Sequence, residues 1–309
     1  MASSTHASSL INSDADSRQA APEIPLWQRR WRSFWGSYSS RIGLIVTVII
    51  FLMALVPTSW LPYNPTEVNL AIANQPGVWA GEWSHPLGTD FLGRDMLSRT
   101  IHGARLTLII SGSAVVLATV VGVLLGMVAG FYGHWIDEFI SWLIDIQLAF
   151  PVIVLALAII AILGGSLTSL IIVLAITSWA TMARLVRGQI LSARNEVYVE
   201  AAEAIGATTY SILVKHLLPN IFSPILAVAT FEMSRLVLTE SALSFLGLGV
   251  APPQVTWGGM IGDGRAYVYD AWWTATVPGL MIAILVIAFN FLGDGLRDAF
   301  DPNIWTGRK

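Results

Sequence analysis

Six long apolar runs restrict what this sequence can fold into. They lie near residues 42–62, 106–132, 139–163, 168–186, 221–248 and 273–293. A helix needs about 20 apolar residues to cross the hydrocarbon core of a bilayer, and each run is close to that length or longer. Only 12% of the residues are charged, whereas a soluble domain carries about 25%. The sequence therefore predicts an all-α, polytopic membrane protein with six transmembrane helices.

The distribution of Lys and Arg between the runs predicts the orientation, because these residues are enriched in cytoplasmic loops. With the N-terminus inside, the inner segments contain Arg18, Arg29, Arg30, Arg32, Arg41, Arg184, Arg187, Arg194, Lys215, Arg297, Arg308 and Lys309. The outer segments then contain Arg94, Arg99, Arg105 and Arg265. This asymmetry predicts that both termini and the 187–220 loop face the cytoplasm, and that the 63–105 and 249–272 loops face outside.

The segments that flank the runs have their own character. Residues 1–25 are polar and rich in Ser and Ala, which predicts a disordered cytoplasmic tail, and residues 303–309 predict a second tail. Residues 26–40 place aromatic side chains at helical spacing with arginines between them, which predicts an amphipathic helix in the membrane interface. An ordinary aromatic belt with basic flanks explains the same residues. The predicted transmembrane domain occupies residues 41–302.

Several function classes are disfavoured by what the sequence lacks. A P-loop needs a Lys after its glycines, but the lysines Lys215 and Lys309 follow Val214 and Arg308. The five histidines are dispersed, without an HExxH motif, and there is no cysteine. We therefore predict no catalytic residues, no metal site and no cofactor bound by this chain. The scattered basic residues also argue against nucleic acid as a partner.

Charged residues inside the runs are candidates for function because burying them in a membrane is costly. They are Asp145, Glu232, Arg235 and Glu240. Glu232 and Arg235 are three residues apart on one helix face, so they can neutralise each other or line a wet cavity. Asp145 lies near the inner end of its run, where snorkelling or a packing hydrogen bond competes with a proton-relay role.

Small residues recur every fourth position in the second run, at Gly122, Gly126 and Gly130. Such a stripe lets another helix approach closely. We interpret it as a packing surface.

The 187–220 loop predicts two short helices joined by a glycine. Residues 198–206 form the first, which ends at Gly206 in a left-handed cap. Thr208 or Thr209 caps the second, and Pro219 is predicted to stop it before the fifth span. The resulting knob presents alanines and Glu200, which suits docking into a cleft of another protein. A helix pair that lies on the membrane surface without a partner is the alternative.

The 63–105 loop contains two turn-and-cap motifs, Gly88-Thr89-Asp90 and Gly93-Arg94-Asp95, preceded by His85. They lead into an amphipathic stretch, residues 96–106, that is predicted to lie against the outer membrane surface. Two interpretations stay open: the segment meets an external binding protein, or it is a structural lid.

Motifs in both loops resemble those of a known family. Glu200-Ala201-Ala202, Gly206 and Leu218-Pro219 match the EAA loop of permease subunits in binding-protein-dependent ABC importers. The 85–99 segment, the 240–249 run before Pro252-Pro253, the Trp257-Gly-Gly-Met260 patch and the 293–302 segment are similar to the second permease subunit of dipeptide, oligopeptide and nickel importers. The resemblance extends over residues 26–302.

This resemblance implies a type I ABC importer permease fold in a bacterial inner membrane. It also implies partners: a homologous second permease subunit, two ATP-binding subunits that use ATP and Mg²⁺, and an extracytoplasmic solute-binding protein. Residues 200–219 would be the coupling loop that inserts into an ATPase subunit. Peptides are the expected cargo, with nickel or another small solute as the alternative. A gradient-driven secondary transporter would instead show inverted repeats, and we see none in the sequence.

Overall fold

The computed structural model describes residues 33–300, and within that range the regular elements are helices joined by turns. The predicted tails 1–25 and 303–309, and residues 26–32 of the predicted interfacial segment, lie outside the described residues. The helices are α1 (Tyr38–Leu55), α2 (Met96–Tyr132), α3 (His134–Ala149), α4 (Val152–Leu163), α5 (Leu167–Ile176), α6 (Trp179–Ala193), α7 (Val197–Ala204), α8 (Thr209–Phe245), α9 (Trp257–Gly264) and α10 (Trp273–Phe300).

Five helical segments are long and apolar enough to cross a membrane. They are α1, α2, the α5–α6 pair (Leu167–Ala193), α8 and α10. The remaining predicted span, residues 139–163, corresponds to α3 and α4, which are bent by 94° relative to each other. The all-α, polytopic prediction is confirmed, with six spans if the bent pair counts as one.

The bend between α3 and α4 is where the structure departs from the predicted straight run 139–163. Pro151 has no N–H to donate to the preceding turn, and its ring disfavours the helical conformation for the residue before it. Phe150 accordingly adopts extended backbone angles, with φ −85° and ψ 136°. Hydropathy alone did not reveal this break because the apolar residues continue through it.

The start of α2 corrects a second prediction. Met96 to Leu106 do not form a separate surface stretch: they are the first turns of a continuous helix of 37 residues. Asp95 caps this helix by accepting a hydrogen bond from the Ser98 N–H at 2.7 Å. The helix therefore extends well beyond the hydrocarbon core, since about 20 residues suffice to cross it.

Pro219 does not stop the helix before the fifth span, contrary to the prediction. Helical structure continues from Thr209 to Phe245, and residues Ile212–Leu217 form a π-helical turn. Proline inside a helix causes two problems: its ring clashes with the preceding turn, and it has no N–H to donate. A π-turn is wider than an α-turn, so it makes room for the ring of Pro219. The 187–220 loop and the fifth span are thus one helical element after Gly206.

The small-residue stripe of α2 packs against α6. A Cβ added to Gly126 would lie 2.6 Å from the carbonyl oxygen of Ala183, and one added to Gly130 would lie 2.8 Å from the Cβ of Ile190. These distances leave no room for a side chain. The backbones of α2 and α6 approach each other as the glycine spacing predicted.

The core also joins α8, α9 and α10. Trp257, Met260, Trp273, Val237 and Leu285 belong to one buried cluster. The Trp257 indole N–H donates to the Thr100 carbonyl of α2 at 2.8 Å. We call the end of the bundle that carries α9 and the 63–95 loop the α9 end, and the opposite end the α7 end.

Candidate functional site

The turn after α7 depends on the backbone of Gly206. Its φ is +80°, in the left-handed region. Gly206 N–H donates to the Glu203 carbonyl at 2.9 Å, and Ala207 N–H donates to the Ala202 carbonyl at 3.0 Å. These bonds satisfy carbonyl groups that the helix end leaves over. A Cβ on Gly206 would meet nothing within 4 Å, so glycine is required here by conformation and not by space.

The chain resumes helical structure directly after this turn. Thr208 caps α8 through its hydroxyl, which accepts from the Ser211 N–H at 3.3 Å. Val199 and Ala202 of α7 are buried in one cluster with Ile212 and Leu217 of α8 and with Ile190 of α6. The short helix α7 is therefore fixed against two longer helices.

The residues of the EAA motif divide between two faces of α7. Glu200 and Ala201 are exposed, whereas Ala202 is buried in the cluster just described. In the second half of the motif, Leu218 is half-buried and Pro219 is exposed. Only part of the motif is thus available to a partner.

Large apolar side chains that the sequence analysis did not single out are exposed on α7, on the turn after it and at the start of α8, before and after Glu200 and Ala201 in the chain. Val197, Ile205 and Tyr210 are 77%, 85% and 72% exposed. Exposed apolar side chains on a loop outside the apolar spans are candidates for contact with a partner. The sequence signal that could have identified these three residues is their helical spacing, which places them away from the buried positions of α7 and α8. We call Val197, Glu200, Ala201, Ile205 and Tyr210 the docking face.

Ion pairs fasten the helices beside this loop. The Arg187 guanidinium on α6 donates to both carboxylate oxygens of Asp137 on α3, at 2.8 Å for the Nη2–Oδ2 bond. Arg194 donates to the Gly130 carbonyl at 3.2 Å. Asp145, which was predicted to snorkel, to make a packing bond or to relay protons, accepts from Arg184 at 2.6 Å. An ion pair between two exposed side chains gives Asp145 a structural partner.

The intramembrane charges Glu232 and Arg235 lie in contact on α8. The Nε and Nη2 atoms of Arg235 donate to Glu232 Oε2 at 3.0 and 2.7 Å. Nη2 also donates to the Ser178 hydroxyl at 3.1 Å, at the break between α5 and α6. Glu240, which is fully buried, accepts from the Ser244 hydroxyl at 2.7 Å. Each carboxylate within this span therefore has a hydrogen-bond donor.

The 85–95 motif forms a bonded network at the α9 end. His85 Nδ1 lies 3.0 Å from Asp95 Oδ1. Asp90 accepts from the backbone N–H groups of Leu92 and Arg94, each at 2.9 Å, and from Arg94 Nε at 2.6 Å. The Thr89 carbonyl accepts from the Trp273 indole at 2.9 Å. These bonds tie the loop to α2 and α10.

Two glycines of the same motif are required by both conformation and space. Gly88 and Gly93 have φ values of +74° and +72°. A Cβ on Gly93 would lie 1.8 Å from the Asn69 carbonyl oxygen, and one on Gly88 would lie 2.7 Å from the Trp273 indole nitrogen. Since His85, Thr89, Asp90 and Asp95 are buried, their side chains serve the loop itself, which favours the lid interpretation of this motif.

A cavity of about 550 Å³ opens beside this network. Its wall combines the end of α8, the 246–256 loop, α9 and the start of α2. Arg94 and Arg99 reach Asp263 of α9 at 3.4 and 3.1 Å. Sequence reasoning missed this cavity, because residues more than 160 positions apart meet there. Within residues 33–300, no group of three or more His, Asp or Glu side chains is arranged to hold a metal ion.

Comparison with known families gives a match over more than half of the chain. Residues 122–306 match the model described as "Binding-protein-dependent transport system inner membrane component". Residues 25–76 match the model described as "N-terminal TM domain of oligopeptide transport permease C".

Curated relatives are similar over nearly their whole length. The chain is 42% identical to the di/tripeptide transport system permease protein DppC of Pseudomonas aeruginosa, over 89% of this chain and 91% of the relative. It is 40% identical to the dipeptide permease protein DppC of Alkalihalophilus pseudofirmus, over 90% of each. It is 37% identical to the oligopeptide permease protein OppC of Bacillus subtilis, over 91% of each.

A solved structure shares the fold. The inward-facing MetNI methionine ABC transporter superposes with a TM-score of 0.54 at 22% identity, over 65% of this chain and 95% of that chain. This likeness confirms the predicted type I importer permease fold.

Proposed function

The chain belongs to the family of inner-membrane components of binding-protein-dependent transport systems, and from that premise we propose that it forms one half of an ATP-driven import path for di- or oligopeptides. As a member of this family it is a multi-pass transport subunit and not an enzyme. The names of its relatives support peptides over nickel as the solute. The solute would cross without any bond in it being broken.

The observation that carries the proposal is the docking face on the α7–Gly206–α8 turn. Its apolar side chains are exposed on a loop whose other face is buried against α6 and α8. A partner that binds the docking face therefore contacts a short helix that is packed firmly against α6 and α8. In this family such a partner is an ATPase subunit, and this chain supplies no P-loop of its own.

The proposed assembly contains this chain, a homologous second permease subunit, two ATP-binding subunits that use ATP and Mg²⁺, and an extracytoplasmic solute-binding protein. Both termini and the 187–220 loop would face the cytoplasm, as the Lys and Arg bias supports. The α9 end would then face outside. The Glu232–Arg235 pair on α8 would lie deep in the membrane, where its internal hydrogen bonds reduce the cost of burying two charges.

The proposed mechanism is alternating access. Closure of the ATPase subunits on ATP would displace α7, and the buried contacts of Val199 and Ala202 would transmit the displacement to α8. Opening at the α9 end would follow, and hydrolysis would reset the assembly. The binding energy of ATP thus changes which side of the membrane the path opens to.

The test is a charge on the docking face. Ile205→Asp buries a carboxylate at the interface in place of an apolar side chain, whose burial is worth about 1.5–3 kcal/mol. We expect association with the ATPase subunits to weaken by at least about tenfold, and ATP-dependent uptake of a labelled dipeptide by proteoliposomes to fall with it.

Tyr269→Asp is the matched control, because Tyr269 is fully exposed at the α9 end. It introduces the same charge without touching the docking face, so ATPase binding should stay unchanged. Wild-type affinity of the Ile205→Asp chain for the ATPase subunits would contradict the proposal.

A further inference from the structure

The cavity at the α9 end collects positive charge around an open volume. At about 550 Å³, it falls within the range of roughly 300–1,000 Å³ that small-molecule sites occupy. Its wall includes Arg94, Arg99, Arg265 and Asp263. Buried Asp90 pairs with Arg94 and Arg99. Three arginines and two carboxylates leave an excess of one positive charge.

The arginines of this wall differ in how fully they are paired. The Arg99 side chain is only 3% exposed, and its Nε has no hydrogen-bond partner in the part of the chain that the structure describes. A buried donor left without a partner costs free energy. Arg265 is exposed, lies with its guanidinium carbon 5.4 Å from the centroid of the Phe245 ring, and has no ion-pair partner among residues 33–300.

The rest of the wall is uncharged, and beside the segment that follows α8 it contains Ser244, Phe245, Leu246, Gln254, Val255 and Thr256. The segment from Gly247 to Pro253 supplies glycine, alanine and proline residues beside Val250. This part of the wall presents backbone, apolar groups and a few polar groups, and it carries no charge. It suits a ligand with a constant charged group and variable remaining parts.

We propose that this cavity binds the C-terminal carboxylate of a small peptide, with Arg265 as its principal cationic contact. The guanidinium group matches a carboxylate with two parallel hydrogen bonds. The inference rests on the proposed function, because the transported peptide is taken as the source of the carboxylate. A cavity of this size accommodates a dipeptide, and the variable side chains of the dipeptide would meet the uncharged part of the wall.

The absence of cysteine from the chain permits a direct test on the assembled transporter in nanodiscs. Gln254 lines the cavity and is exposed, so Gln254→Cys places a single thiol at the site. This thiol is modified with two methanethiosulfonate reagents, one with an anionic sulfonate group and one with a cationic trimethylammonium group. The rate of each modification is followed by the increase in mass of this chain. The ratio of these rates reports the local electrostatic potential.

We expect the anionic reagent to be favoured, and Arg265→Gln to lower the rate ratio by about threefold, as loss of one charge within several ångströms predicts. Arg265→Lys should preserve the ratio. Arg105→Gln is the matched control, since Arg105 is exposed but does not line the cavity. An unchanged ratio in the Arg265→Gln chain would overturn the assignment.

The ligand is tested by protection of the same thiol with alanyl-alanine and with its C-terminal amide. The free acid should slow modification and the amide should not, and Arg265→Gln should abolish the difference. Equal effects of acid and amide would overturn the carboxylate assignment. Protection by the peptide-free solute-binding protein, with no difference between acid and amide, would identify a protein contact and overturn it as well.

Failure of this inference is distinguishable from failure of the proposed function. Dipeptide uptake without acid-selective protection would contradict the cavity site and leave the importer intact. Acid-selective protection without ATP-dependent dipeptide uptake would retain the site and contradict the proposed function.

Discussion

At the scale of single residues, the strongest requirement near the docking face is a positive φ and not a functional group. Gly206 has φ +80° and open space around its Cβ position. Alanine would pay about 1–2 kcal/mol for the left-handed conformation, whereas asparagine tolerates it better. We expect Gly206→Ala to lower the midpoint of thermal unfolding and to reduce dipeptide-stimulated ATP hydrolysis by the assembly. Gly206→Asn should retain most of the thermal stability and most of the ATP hydrolysis.

The control for this comparison is Gly188→Ala on α6. An added Cβ at Gly188 also meets nothing within 4 Å, but its φ is not in the left-handed region. Alanine there should be neutral or slightly stabilising, since it forms helix better than glycine. If Gly206→Ala behaves like Gly188→Ala in both assays, the conformational requirement at Gly206 is wrong.

At the scale of elements, the contact between α2 and α6 depends on backbone proximity. Gly126→Ala forces a Cβ to within 2.6 Å of the Ala183 carbonyl, and overpacking of this kind costs about 1–3 kcal/mol. We expect a lower midpoint of thermal unfolding in detergent. Gly112→Ala, on the same helix with only Met233 Cε at 3.9 Å, should leave the midpoint unchanged or raise it. Equal midpoints for the two variants would contradict the packing argument.

Elements also show how far the sequence could be interpreted. Hydropathy predicted the six spans because about 20 apolar residues have few alternatives to crossing a membrane. It did not distinguish Pro151, which breaks its run, from Pro219, which a π-turn accommodates. Both prolines lie among helix-forming neighbours. The outcome differs because a π-turn precedes Pro219, whereas the residue before Pro151 has extended backbone angles. The pairing of Arg94 and Arg99 with Asp263 also left no trace in the sequence, because it joins distant segments.

At the scale of the whole molecule, the orientation is open to test. In the cysteine-free chain, expressed without the ATPase subunits that would cover the docking face, Tyr269→Cys and Ile205→Cys place thiols at opposite ends on side chains that are both highly exposed. We expect a membrane-impermeant thiol reagent to label residue 269 in intact spheroplasts, and residue 205 only after the membrane is opened. Labelling of residue 205 in sealed spheroplasts would reverse the orientation.

The continuity of α8 has a mechanical consequence. Its 37 residues make a rod of about 55 Å, fastened at one end to the docking face and bordering the arginine-lined cavity at the other. A rod amplifies rotation into displacement: a tilt of about 10° about the docking end carries the far end through about 10 Å. Small movements of the ATPase subunits would thus displace the far end of α8, at the opposite side of the membrane, by a distance comparable to the length of a dipeptide.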